Sequence, residues 1–128
     1  MNIICPDDIS AELMEDLKGK VDFLYNEIPT IVPANDSPFV VCSVDTAIID
    51  KFAYYYTVSS IYIFVKNLAN GTHNGKKLKS IITYISSIFP IKSNNYLFTT
   101  LPTVIPMGND SKGYNVTKIQ VETFIYKQ

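Results

Sequence analysis

Few side chains in this 128-residue chain are spaced for catalysis. His73 is the single histidine and lies in the polar run Asn70-Gly71-Thr72-His73-Asn74-Gly75. An acid–base or metal role would need a second histidine, a cysteine or a carboxylate beside it, and a lone histidine makes a poor zinc site. It reads as an exposed loop residue. Asp7 and Asp8 could be taken for a metal pair, but acidic residues belong at a helix N-terminus for electrostatic reasons. Asp45, Asp50, Asp110 and Glu122 are scattered, with no second carboxylate at motif spacing. Gly71 and Gly75 do not form a strand-to-helix phosphate loop ending in Gly-Lys-Ser/Thr. Ser43, Ser59 and Ser60 fall inside predicted strands, without the sharp turn that exposes a nucleophile. Cys5 and Cys42 are too few for a disulfide framework, and Cys42, in an apolar run, reads as a small buried residue. No enzyme, cofactor or metal site is expected.

The chemistry that does stand out is contact chemistry. Phe52 to Val65, FAYYYTVSSIYIFV, is a run of β-branched and aromatic residues, apolar in both alternating registers. One register holds Phe52, Tyr54, Tyr56, Val58, Tyr62 and Phe64; the other holds Ala53, Tyr55, Ile61, Ile63 and Val65. A strand with one solvated face alternates apolar and polar, so this one must be covered twice. The chain has helix enough for one cover, and the second is expected from another protein. Tyr54, Tyr55, Tyr56, Tyr62 and Phe64 are the candidate intersubunit residues, since tyrosine is enriched at interfaces. Packing within the chain itself, or stacking on single-stranded nucleic acid, are the other uses of such tyrosines; the last usually needs a basic groove.

The remaining elements follow from periodicity and breakers. Ile9, Leu13, Met14 and Leu17 predict a helix over about residues 8–18, stopped at Gly19. Residues 20–37 are ambiguous: Val21 to Tyr25 extends the helix or forms a short strand. Pro29, Pro33 and Pro38 then forbid regular helix, and Asn35-Asp36-Ser37 reads as a turn. Phe39 to Val44 reads as a buried strand, joined by Thr46–Lys51 to the long strand at about 52–66. That link is too short for a crossover, which makes the pair an antiparallel hairpin. Lys76 to Phe89 is the clearest helix, with Leu78, Ile81, Ile82, Ile85, Ile88 and Phe89 on one face and Pro90 beyond it. Its opening lysines, Lys76, Lys77 and Lys79, oppose the helix dipole and suit an acidic neighbour, a phosphate or simply solvent. Tyr96 to Leu101 predicts a strand interrupted by Pro102 and Pro106, and Met107 to Gly113 a turn-rich link. In the final strand, Tyr114 to Tyr126, Ile119, Val121 and Ile125 alternate with Lys118, Gln120 and Glu122. The order α-β-β-α-β-β predicts an α+β fold, an antiparallel sheet of about four strands with two helices on one face. No linker or repeat divides it, so residues 1–128 are read as one domain.

Composition narrows the partners. The hydrophobic fraction of 47% supplies a core, and the net charge of -1 leaves no strongly charged surface. All basic residues are lysine, which weighs against a sequence-specific DNA reader relying on bidentate arginine. No run is long and apolar enough for a membrane span, and the N-terminus lacks the pattern of a secretory signal, so cytoplasmic synthesis is expected.

Four segments carry a resemblance. Pro38-Phe39-Val40-Val41-Cys42-Ser43-Val44-Asp45 is similar to a strand of Pro, Phe or Tyr, Val, Val, two variable positions and Val that follows the N-terminal helix in the tail terminator and tail-completion proteins of tailed bacteriophages. Ser60-Ile61-Tyr62-Ile63-Phe64-Val65-Lys66 resembles that family's central strand leading into its second helix. The helix Lys76 to Phe89 resembles that second helix, and the closing strand Thr117 to Tyr126 is similar to the C-terminal strand that ends many of these proteins. The likeness spans about residues 8–126 and lies in the order and length of elements. The Pro29–Pro38 stretch and the segment with Pro102 and Pro106 depart from the family pattern.

The resemblance implies a structural virion protein of the head–tail connector, or neck. It implies a six- or twelve-fold ring between portal or connector and tail proteins, around double-stranded DNA that passes through the lumen without sequence-specific binding. The family has no catalytic residues to transfer. The loops Asn67–Gly75 and Pro106–Gly113 would then contact the layers above and below, through Asn70, His73, Asn74, Met107, Asn109 and Lys112. A near-neutral charge suits a channel wall. A small α+β ligand-binding or regulatory module that dimerises through its sheet is the alternative.

Overall fold

The computed structural model describes residues 4–18, 24–25 and 37–127. The first helix, α1 (Pro6–Leu17), starts on a proline whose missing N–H belongs to the unsatisfied first turn. Ile9, Leu13 and Leu17, four residues apart, form one buried stripe. Strands β1 (Leu24–Tyr25), β2 (Phe39–Val44), β3 (Ile49–Asp50) and β4 (Tyr54–Lys66) follow, then α2 (Gly75–Ile88), β5 (Ile91–Ser93), β6 (Tyr96–Asn109) and β7 (Tyr114–Tyr126). The fold is α+β.

The sheet order is β1-β2-β4-β7-β6-β5, with β3 pairing β4 beyond the end of β2. Every pairing is antiparallel except β1 with β2. The expectation of about four strands was too low. The three additional strands, β1, β3 and β5, hold only two or three residues each, too few to show a period-2 pattern. The extended alternative at Val21–Tyr25 is met at Leu24 and Tyr25; the readings at Gly19, Pro29, Pro33 and Asn35-Asp36 lie outside the described residues. Strand β6 also runs on through both prolines, to Asn109. Its register against β7 shifts between Thr100 and Val104 and again between Pro106 and Gly108, so the prolines sit in irregularities. Its outer neighbour β5 pairs only as far as Phe98, so beyond that point the lost N–H interrupts no outer ladder among the described residues.

Both helices lie on one face. Ile9, Leu13 and Leu17 of α1 and Leu78 and Ile85 of α2 join Val40, Cys42, Ile61, Ile63, Val65, Phe98, Ile119, Val121 and Ile125 in one core. The sheet curls around α1, which packs on β2 near one edge and on β5 at the other. The β5 contact is polar: Glu12 Oε1 accepts from Ser93 Oγ at 2.6 Å and from Asn94 Nδ2 at 2.9 Å. Under the helices, toward the Tyr54 end, the apolar core gives way to paired hydroxyls. Ser59 Oγ and Thr123 Oγ1 are 2.8 Å apart, and Thr57 Oγ1 and Thr46 Oγ1 3.0 Å. That pairing removes most of the cost of burying them. No helix among the described residues is long and apolar enough to cross a membrane.

Candidate interaction surface

β4 is the axis of the molecule. It pairs with β7 along its whole length, from Tyr54↔Tyr126 to Lys66↔Tyr114. Strict alternation sends Tyr55, Thr57, Ser59, Ile61, Ile63 and Val65 toward the helices, and Tyr54, Tyr56, Val58, Ser60, Tyr62 and Phe64 to the opposite, open face. Tyr55 thus separates from the other candidate contact residues. It packs against the helix-side core, with Lys127 Nζ 4.7 Å above its ring. The long strand begins at Tyr54 and not at Phe52. Phe52 sits in the β3–β4 turn at φ +74°, a region costly for a bulky side chain, and is 94% exposed. Asp50 Oδ1 holds its N–H at 2.9 Å.

The open face has two halves. At the Phe64 end, Phe39, Val41, Phe64 and Tyr114 form a small buried cluster of their own. Phe39 stacks on Phe64 at 4.5 Å and meets Tyr114 edge-on. Phe64 is therefore covered within the chain. At the other end, half-buried Tyr54, Tyr56 and Phe124 and exposed Tyr126 form an aromatic array with centroid spacings of 5.3–6.1 Å. Among the described residues no helix lies over it, since α1 and α2 both pack on the opposite face.

Carboxylates fix two of these tyrosines. Tyr56 Oη donates to Glu122 Oε2 at 2.7 Å, which raises the phenol pKa. Tyr62 Oη donates to Asp45 Oδ2 at 2.5 Å. Burial first, then the hydrogen bond and charge of Asp45, push Tyr62 up to about 12. Burial acts to raise Asp45 as well. Hydrogen bonds from Tyr62, Ser43 and Ser60 and the charge of Lys118 outweigh it, and Asp45 lies below the usual carboxylate range. Lys118 Nζ is 4.0 Å from Asp45 and 5.7 Å from the Tyr62 ring centroid. The open face is therefore neither bare hydrocarbon nor a solvated polar face. It carries aromatic rings, two of them with hydroxyls held by carboxylates, a composition suited to a wet protein–protein contact.

The predicted contact loops converge on one end of the sheet. Asn109 Oδ1 accepts from Asn67 Nδ2 and Asn115 Nδ2, each at 3.2 Å, and Asn67 N–H donates to Gly113 O. The loop after β4 and the β6–β7 turn are thus neighbours at one end of the sheet. Asn70 closes a turn by accepting from Thr72 N–H and Oγ1. Asn74 caps α2, accepting from Lys77 N–H at 3.2 Å. Met107 and Asn109 are exposed on β6 itself; Lys112 is exposed in the turn, where its N–H donates to Asp110 Oδ1. His73 is exposed and makes no hydrogen bond or ion pair among the described residues. Among those residues no group of three or more His, Cys, Asp and Glu could hold a metal ion.

Sequence reading missed Asp45, Glu122, Lys118 and Phe124 as members of this surface. The outward positions of β7 were legible in its alternation. The pairing of Glu122 with Tyr56, 66 positions away, depends on register and was not. No protein-family model and no curated protein matches the chain.

Proposed function

We propose that the chain is a structural subunit of the neck of a tailed bacteriophage. On this reading it has a tail-terminator-like fold, is not an enzyme, and assembles into a ring between the portal or connector and the tail. DNA passes through the lumen without being read. One observation carries the reading: the 13-residue apolar strand β4 is packed by helices on one face and presents half-buried tyrosines on the other. Tyr54, Tyr56 and Tyr62, with Phe124 and Tyr126, are the proposed contact residues. The cluster of turns at Asn67–Gly75 and Asp110–Gly113 is a second contact region, at one end of the subunit. The order of elements, which resembles that of tail-completion proteins, supports the assignment to a neck ring.

A sheet-mediated dimer with a ligand pocket would need space between sheet and helices. Ile61, Ile63, Ile85 and Phe98, each 0% exposed, occupy that layer. Negative-stain electron microscopy of the purified protein, alone and with candidate portal or tail proteins, tests the proposal. Rings with an open centre are expected. Compact dimers under every condition would overturn it.

A further inference from the structure

Charge is segregated between the two helices. α1 holds Asp7, Asp8, Glu12, Glu15 and Asp16 and no basic residue; α2 holds Lys76, Lys77 and Lys79 and no acid. Glu12 is already engaged by Ser93 and Asn94. Asp7, Asp8 and Glu15 are exposed, as are the three lysines, and none of these six makes an ion pair among the described residues. The two helices are not equivalent. Acids in the first turn of α1 complement its dipole and need no further reason. Lysines in the first turn of α2 oppose its dipole, and the Asn74 cap answers an N–H, not the charge. Local rules of this kind are broken most often at functional sites. A shallow groove, largely open to solvent, runs along the same face, bordered by Lys76, Lys79, Ser80, Thr83, Tyr84 and Ser87. Its lining spans as many residues as α1 contains.

We infer that a second copy of this chain docks here, laying the exposed acidic face of its α1 along the lysine-lined groove of α2. The surface complementary to the groove is present on the chain itself, and charge complementarity of this kind sets partner choice and register. The inference rests on the self-association that the proposed ring also requires. It adds a helix-to-helix contact to the one proposed on the open face of β4, and this added contact serves a ring or a dimer. Screening follows: association weakens as salt shortens the Debye length from about 10 Å at 0.1 M to about 3 Å at 1 M.

Two charge-reversed variants test it by sedimentation velocity, alone and mixed. In K76E/K77E/K79E the first turn of α2 gains dipole-compatible charge, so its melting temperature stays at or above wild type while self-association weakens roughly 100-fold or more. D7K/D8K/E15K also fails to associate alone. Mixed in equal amounts, the two recover the wild-type mass, because every reversed face then meets an opposite one. Should D7K/D8K/E15K melt early, E15K, beyond the first turn, replaces it, and the mixture then recovers part of the lost association. Wild-type association in K76E/K77E/K79E, or no recovery on mixing two folded variants, overturns the inference. So does a monomeric wild type whose lysines bind duplex DNA. A wild-type dimer that reversal dissociates keeps this contact and removes the ring.

Discussion

The two faces of β4 have similar composition and different fates. On the helix side, Ile61, Ile63 and Val65 are sealed between two helices and β2 and β7, and the few polar groups are paired hydroxyls. On the open side, Tyr54, Tyr56 and Tyr62 stay half-buried, and the hydroxyls of Tyr56 and Tyr62 are held by carboxylates. Aliphatic groups bury without residue. Tyrosine covers as much apolar area while keeping a polar tip that tolerates water, so it suits a surface covered only in an assembly. The difference separates residues that hold the fold together from residues available for contact with a partner.

The largest effect that would sharpen this comparison comes from the sealed face. Ile63→Asp buries an unpaired carboxylate and should cost about 4 kcal/mol or more, enough to unfold a marginal domain. Ile63→Ala should cost about 2–5 kcal/mol. Thermal unfolding by circular dichroism checks both. On the open face, Tyr62→Asp should leave the fold intact and abolish assembly, read as native mass beside an unchanged far-ultraviolet spectrum. Tyr55→Asp should behave like a core variant, because Tyr55 lies on the helix side. If the two variants behaved alike, the division of β4 into a core face and a contact face would fail.

Much of this division was legible in the sequence. The spans of α2 and β7 emerge from their periodicities within a residue, because each has one long buried stripe. The alternation of β4 likewise assigns Tyr62 and Tyr55 to opposite faces. Which face the helices cover was not legible, since both registers are apolar and only packing decides. The short strands were hidden because two residues carry no period. Phe52 was misplaced in the strand because an aromatic at positive φ contradicts its own propensity. The carboxylate partners of Tyr56 and Tyr62 depend on register and on the path of the β2–β3 link, neither of which local pattern fixes.

Smaller effects probe the chemistry of each face. Tyr62 should titrate near 12 by its phenolate absorbance, and Asp45→Asn should bring it down toward 10.0. The sign of the linkage is definite. Tyr62 is raised in the fold, so its contribution to stability is complete below pH 10.0 and is lost as pH rises toward about 12. Asp45 is lowered, so its contribution is complete above its ordinary value of 3.8 and is lost as pH falls through its folded pKa. Urea denaturation across both pH windows, wild type against Asp45→Asn, checks both signs. On the sealed face, burial pushes the Cys42 thiol up to about 12. A thiol reagent should therefore label only Cys5 in the native protein and both cysteines after denaturation. His73→Ala, at an exposed loop position, should shift stability by no more than about 0.5 kcal/mol.

The central claim is that the open face of β4 is where copies meet. Sedimentation velocity of wild type and Tyr62→Asp over a wide concentration range tests it most directly. The account predicts a closed oligomer of six or twelve copies for the wild type, formed alone or on adding a connector protein, and a folded monomer for the variant. A wild type that stays monomeric or dimeric throughout, or a Tyr62→Asp protein that assembles as the wild type does, would contradict it.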